Sequence, residues 1–176
     1  MKVIAFAAVS GGGKTALVNA VKERLSRAAA LYFDSYSFEG EPEDFYQWTI
    51  QGANYGVWNL EPLLADILAV RARGLCDYLL LDYPFGYCHE AIRGCIDCAI
   101  FIDTPLDIAM ARRVLRDQGA ASGPQIRADM EYYLKYGRVP YLQMLRDVLP
   151  LSDFVIDGTK SLAAEADEAI KIITAL

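Results

Sequence analysis

Several kinds of residue are scarce in this chain of 176 residues, and each shortage excludes something. Four cysteines, at 76, 88, 95 and 98, are too few and too clustered for a disulfide framework. Seven prolines and 13 glycines are too few for a collagen or a low-complexity linker, and 54% apolar residues exclude a disordered chain. Only 17 Lys and Arg stand against 23 Asp and Glu, a net charge of −6. A chain this acidic is not built to hold a nucleic-acid backbone by bulk charge. No apolar run approaches the length of a membrane span: the clean run near the N-terminus, Val3–Val9, is far short of the ~18–20 residues required. It is followed by Gly-Gly-Gly-Lys-Thr, not by the small-residue site that would end a signal peptide. These features predict a soluble, cytoplasmic protein of one domain, spanning residues 1–176.

Cys88-His89 with Cys95-x-x-Cys98 assembles four potential zinc ligands, including the sole histidine. Structural zinc sites usually pair two such knuckles, and here there is one. The expectation is reduced, structural thiols leading into a strand over Asp97–Ile102.

The hydrophobic pattern alternates short apolar runs with helical stripes. Lys2–Val9, Leu31–Phe33, Tyr78–Leu81, Cys98–Ile102 and Phe154–Ile156 read as strands, the first as one buried on both faces. Helices are expected over Ala16–Ala30, from Pro62 to Gly74, from Thr104 to Asp117, over Ile126–Leu149 with a bend near Gly137 and Pro140, and from Ser161 onward. Thr104 reads as the cap of its helix, with Pro105 in the first turn. Residues 41–58 read as short helices and loop, and Gln118–Pro124 as loop. The pattern predicts an α/β domain: a five-stranded, mostly parallel sheet with helices on both faces.

Between the first strand and the first helix lies Ala8-Val9-Ser10-Gly11-Gly12-Gly13-Lys14-Thr15. That context is the one a phosphate-binding P-loop requires. Glycines let backbone N–H groups curl around a phosphate, and the helix N-terminus adds partial positive charge. Lys14 reaches the terminal phosphates, and the Thr15 hydroxyl is suited to Mg²⁺. Ala8 stands where the pattern usually starts with Gly. Asp82, ending the third strand, is placed to hold Mg²⁺ or its water, and otherwise to cap a turn before Pro84. Arg112, Arg113 and Arg116 concentrate positive charge on one helix, with Arg112 and Arg116 on a shared face. They read as a small lid over about 112–127, or else as a solvated face paired with nearby acids.

Residues 31–70 contain no Lys or Arg, seven acids and nine of the twenty aromatics. A second ligand there has no arginine to grip a phosphate of its own; a neutral or cationic molecule with a flat ring fits better, although packing accounts for many of these rings. Asp34 directly follows the second strand, at the edge where ligands enter an open α/β sheet, and a carboxylate there can take a proton from a hydroxyl. It can equally cap the next segment. Arg93 either reaches a ligand or pairs with Glu90.

These residues resemble the uridine kinase/phosphoribulokinase family of P-loop kinases. Ser10–Thr15 looks like its Ser-Gly-x-Gly-Lys-Ser/Thr loop, and Asp34-Ser35-Tyr36 is similar to its Asp-Ser-Phe-Tyr segment, whose Asp is the catalytic base. Asp82 falls where the family has Glu-Gly, and Arg93 resembles an acceptor-touching arginine. Phe101-Ile102-Asp103-Thr104 and Arg112-Arg113-x-x-Arg116 are similar to its Phe-Val-Asp-Thr strand and lid arginines. The Arg-Gly-Arg of that lid is missing. The resemblance implies a P-loop NTPase fold and a kinase that uses ATP and Mg²⁺ on a small-molecule hydroxyl, most simply a nucleoside. Another acceptor such as nicotinamide riboside, pantothenate or a sugar, and a nucleotide-binding regulator without an acceptor, remain alternatives. It implies catalytic roles for Asp34, Lys14, Arg112 and Arg116, and nucleotide binding by Ser10–Thr15 and Arg113. Acceptor binding falls to Asp34, Tyr36 and Arg93, and the metal to Thr15 and Asp82. No nucleic-acid or membrane partner is expected.

Overall fold

The computed structural model describes all residues from Met1 to Leu176. Five strands form one sheet in the order β2-β3-β1-β4-β5: β1 (Lys2–Ala7), β2 (Ala28–Tyr32), β3 (Tyr78–Asp82), β4 (Cys98–Asp103) and β5 (Phe154–Asp157). Every pairing is parallel, so the sheet is wholly and not only mostly parallel. The chain has the P-loop NTPase fold. No helix is long and apolar enough to cross a membrane.

The central strand explains its own sequence. Side chains alternate across a strand, and β1 is covered on both sides, so nearly all of it must be apolar. Val3, Ala5 and Ala7 enter one cluster with Leu79, Leu81 and Phe101; Ile4 and Phe6 enter the other with Leu80, Ile100 and Ile102. The second cluster is closed by Leu17, Val18 and Val21 of α1 (Lys14–Arg24) and by Ala166, Ala169 and Ile173 of α8 (Leu162–Thr174). On the opposite face, Leu63 and Ile67 of α3 (Glu61–Arg73) pack with Trp58, Tyr83 and Phe85. Each large side chain so buried contributes about 1.5–3 kcal/mol.

Between β2 and α3 come a 3-10 turn (Phe33–Ser35), the short α2 (Phe45–Ile50) and a second 3-10 turn (Tyr55–Val57). The small α4 is Glu90–Arg93, and α5 is Leu106–Asp117. The expected long helix with a bend is α6 (Gly123–Tyr132), a π turn at Tyr133–Gly137 and α7 (Arg138–Asp147). Helix α6 starts earlier than the apolar pattern indicates, because Ser122 and Gln125 form a reciprocal capping box.

Two local expectations fail for tertiary reasons. The first helix stops at Arg24 and Ala28–Ala30 are strand, despite the high helix propensity of alanine. Arg27 turns the chain in the left-handed region (φ 56), its carbonyl accepts from Asp77 N at 2.8 Å, and Ala28 then pairs with Tyr78. Thr104 does not cap α5, whose N-cap is Pro105; its hydroxyl donates to the Gly12 carbonyl at 2.8 Å.

Candidate active site

The loop between β1 and α1 curls tightly. Gly11 and Gly13 have φ +80 and +99, and a Cβ on Gly11 would lie 2.1 Å from the Ala109 carbonyl oxygen of α5. Only glycine allows the loop and α5 to approach so closely. Ala8, in place of the usual Gly, is accommodated because its methyl group fills the space over Gly12, where a second Cβ would come within 2.8 Å. The first turn of α1 has no side-chain cap and no acidic residue. Its N–H groups and partial positive charge are therefore available to an anion.

Asp82, at the end of β3, is buried beneath this turn. It accepts from Lys14 Nζ with one oxygen and from Thr15 Oγ1, at 2.6 Å, with the other. Burial draws the Lys14 ammonium down to about 8, with the charge of Asp34 opposing the shift and Arg116 adding to it. Direct contact with the Asp82 carboxylate favours the protonated form.

Lys14 opens into a cleft of about 600 Å³. The loop and the start of α1 contribute Ser10, Gly11, Gly13, Lys14 and Thr15 to its lining, and α5 contributes Arg112 and Arg116. The segment between β2 and α3 contributes Phe33, Asp34, Glu41, Phe45 and Trp58, with Phe85 after β3 and Met144 of α7. The sequence reading placed Asp34, Lys14, Arg112, Arg116 and the loop in one site, and the structure brings them to one cavity. The i, i+4 spacing turns Arg112 and Arg116 to the cleft and Arg113 away from it.

Four of the other candidates, Arg113, Tyr36, Arg93 and Gly12, do not line the cleft, and neither does Asp82 beneath the loop. Arg113 does not line the cleft: it donates to Tyr141 Oη at 3.3 Å and lies 3.6 Å from Asp129, tying α5 to α6 and α7. Tyr36 donates to Asp66 at 2.7 Å and stacks on Phe38, with ring centroids 5.5 Å apart. Arg93 is exposed on α4, 4.0 Å from Glu90, and is also outside the cleft. Gly12 is buried beneath the loop and braces it by donating to Val9 O at 2.8 Å.

The cysteines and histidine are not gathered into a ligand set. Cys98 belongs to the α1–α8 side of the sheet, whereas Cys88 and Cys95 pack on the other. The His89 ring bonds to Trp58 O at 3.0 Å and to Ala91 N at 3.2 Å.

Sequence reasoning missed Glu41 and Met144. Glu41 appeared only as one acid among seven. Its signal is the preceding Gly40, at φ +79, where a Cβ would lie 1.9 Å from Val57 O. Glu39 O also accepts from Asn59 N at 2.8 Å, so this segment is clamped to the one carrying Trp58. Met144 carried no local signal.

No known family profile matches the chain. It is 25% identical over 178 residues to the uridine kinase of Borrelia duttonii, covering 89% of this chain and 86% of the relative. The uridine kinase of Schizosaccharomyces pombe is 27% identical over 95 residues, 54% of this chain and 21% of that protein. The chain is therefore similar to uridine kinases over most of its length. Among solved structures, a deoxyadenosine kinase from M. mycoides superposes with a TM-score of 0.53 at 11% identity, covering 99% of this chain and 100% of that one. A putative fructose transport system kinase from Silicibacter sp. TM1040 gives 0.55 at 15% identity over 88% of both chains. At such identities these two structures speak for the fold alone.

Proposed function

We propose that this protein is an ATP- and Mg²⁺-dependent phosphotransferase acting on a hydroxyl of a small, nucleoside-like molecule. One observation carries the reading: a single cleft is lined by the P-loop and Lys14, by Asp34, and by Arg112 and Arg116. Phosphoryl transfer asks the protein mainly to position two reactants and to stabilise charge on the transferring group.

The triphosphate is assigned to the Gly11–Thr15 backbone and Lys14. Arg112 and Arg116 are assigned to the oxygens of the transferring phosphoryl group. In the transfer, the acceptor hydroxyl oxygen forms a bond to the γ-phosphorus and the bond from that phosphorus to the β-γ bridging oxygen breaks. ADP leaves with that oxygen, and Asp34 takes the hydroxyl proton. Thr15 and Asp82 fit Mg²⁺ by their chemistry: both present hard oxygen atoms beside the loop, Thr15 Oγ1 donating to Asp82 at 2.6 Å, and they would hold the ion or its water. When bound, the ion neutralises charge on the β and γ phosphates.

The test is ADP release from ATP and Mg²⁺ with and without pools of nucleosides, vitamins and sugars, repeated on Asp34→Asn. Acceptor-dependent release that falls roughly 10²-fold or more in the variant, with ATP binding retained, is the expected outcome. Slow hydrolysis indifferent to every pool refutes transfer to a small acceptor. Unchanged turnover in Asp34→Asn removes that residue as base.

A further inference from the structure

We propose that the acceptor is an organic cation without a phosphate of its own, selected by Glu41. This rests on the phosphotransferase reading and concerns the part of the same cleft lined from between β2 and α3. Every cation lining the cleft, Lys14, Arg112 and Arg116, belongs to the loop, its helix or α5. The segment between β2 and α3 contributes two carboxylates to the lining, Asp34 and Glu41, and no cation. Neither carboxylate is spent on a hydrogen bond or ion pair with the protein. Glu41 has no cation partner, and its negative charge repels an acceptor phosphate and attracts a positive group.

The aromatic rings of this lining point the same way. Phe33, directly before Asp34, lies 5.2 Å from Phe85 between ring centroids, and Phe85 lies 4.7 Å from Trp58. Phe45 follows at 6.2 Å from Trp58 and is 44% exposed, which leaves its ring open to a ligand. Aromatic faces favour cations, most of all where water is displaced.

A second, independent feature marks an unfinished ligand site. Trp58 is only 2% exposed and lines the cleft, yet its indole N–H has no hydrogen-bond partner in the protein. A buried donor left unpaired is costly, and an oxygen or nitrogen lone pair of the acceptor molecule would satisfy it. Glu41 is held in place for this role. The Gly40 contact with Val57 O and the bond from Asn59 N to Glu39 O fix its backbone against the segment that carries Trp58.

The test uses two matched pairs that differ chiefly in charge: uridine against a pyridinium riboside, and glucose against glucosamine. Equilibrium binding and ATP-dependent turnover are measured separately for wild type, Glu41→Gln and Glu41→Lys. The expected result is a charged member of at least one pair favoured about tenfold or more over its neutral partner. That ratio falls about five- to tenfold in Glu41→Gln and inverts in Glu41→Lys. Trp58→Phe, which keeps the ring and removes only the donor, raises the KM of the favoured acceptor a few-fold with kcat retained. Neutral members bound or turned over as well as charged ones, no binding of either charged probe at millimolar concentration, or a charge preference untouched by Glu41→Gln each overturns the proposal. Charge-selective binding without turnover upholds it and instead sinks the phosphotransferase reading.

Discussion

Gly11→Ala tests how the loop and α5 are joined. The substitution adds one methyl group at φ +80, a backbone region that costs an L-residue about 1–2 kcal/mol. The new Cβ would sit 2.1 Å from the carbonyl oxygen of Ala109 and 2.9 Å from its carbonyl carbon. These are backbone atoms within a helix, so no rotamer change relieves the overlap. Loop and helix must separate by roughly 1 Å, adding about 1–3 kcal/mol of packing cost. The sum is about 3 kcal/mol, which for a chain of this size lowers Tm by about 6–12 °C. The same movement displaces Arg112 and Arg116, and a misplacement of about 1 Å can cost on the order of 10²-fold in rate. Calorimetry, nucleotide binding and turnover are the assays. Gly94→Ala is the control, because Gly94 has φ −72 and nothing within 4 Å of an added Cβ. It is expected to be neutral or stabilising by about 0.4–1 kcal/mol. A Gly11→Ala protein melting within about 2 °C of wild type, with unchanged nucleotide affinity, refutes the close approach.

Thr104→Val is expected to cost about 1–3 kcal/mol and to weaken nucleotide binding, because the buried Gly12 carbonyl loses its 2.8 Å partner. Thr104→Ser restores both, and urea unfolding with nucleotide titration separates the two variants; a harmless valine would show that this bond does not brace the loop. Arg93→Ala is expected to change kcat and KM by less than about twofold, since exposed helical pairs such as that with Glu90 contribute little. A tenfold rise in acceptor KM would return Arg93 to the site.

The phosphate end was legible in the chain because its chemistry is local. Strand, glycine loop, lysine and helix occupy one continuous stretch, and each residue type answers to a neighbour a few positions away. Pro62 and Gly74 likewise bound α3 where local backbone preference places them, with Gly74 capping at φ 62. The residues proposed for the acceptor were less legible. Tyr36 and Arg93 matched a pattern by position, but Asp66 and Glu90 occupy them. Arg113 is one residue from Arg112, yet 100° of helical rotation sends it to Asp129 and Tyr141.

By itself, the sequence determined the parallel α/β architecture, the phosphate-binding loop and Asp34 at a strand end, because periodicity, glycine and helix-terminus chemistry act over short distances. Only the tertiary structure decided that Ala28–Ala30 are strand, that Thr104 braces Gly12, and that Glu41 and Met144 face the cleft. Those outcomes depend on partners distant in sequence, which no local pattern encodes: Tyr78 for Ala28, Gly12 for Thr104, and the bond from Asn59 N to Glu39 O for Glu41.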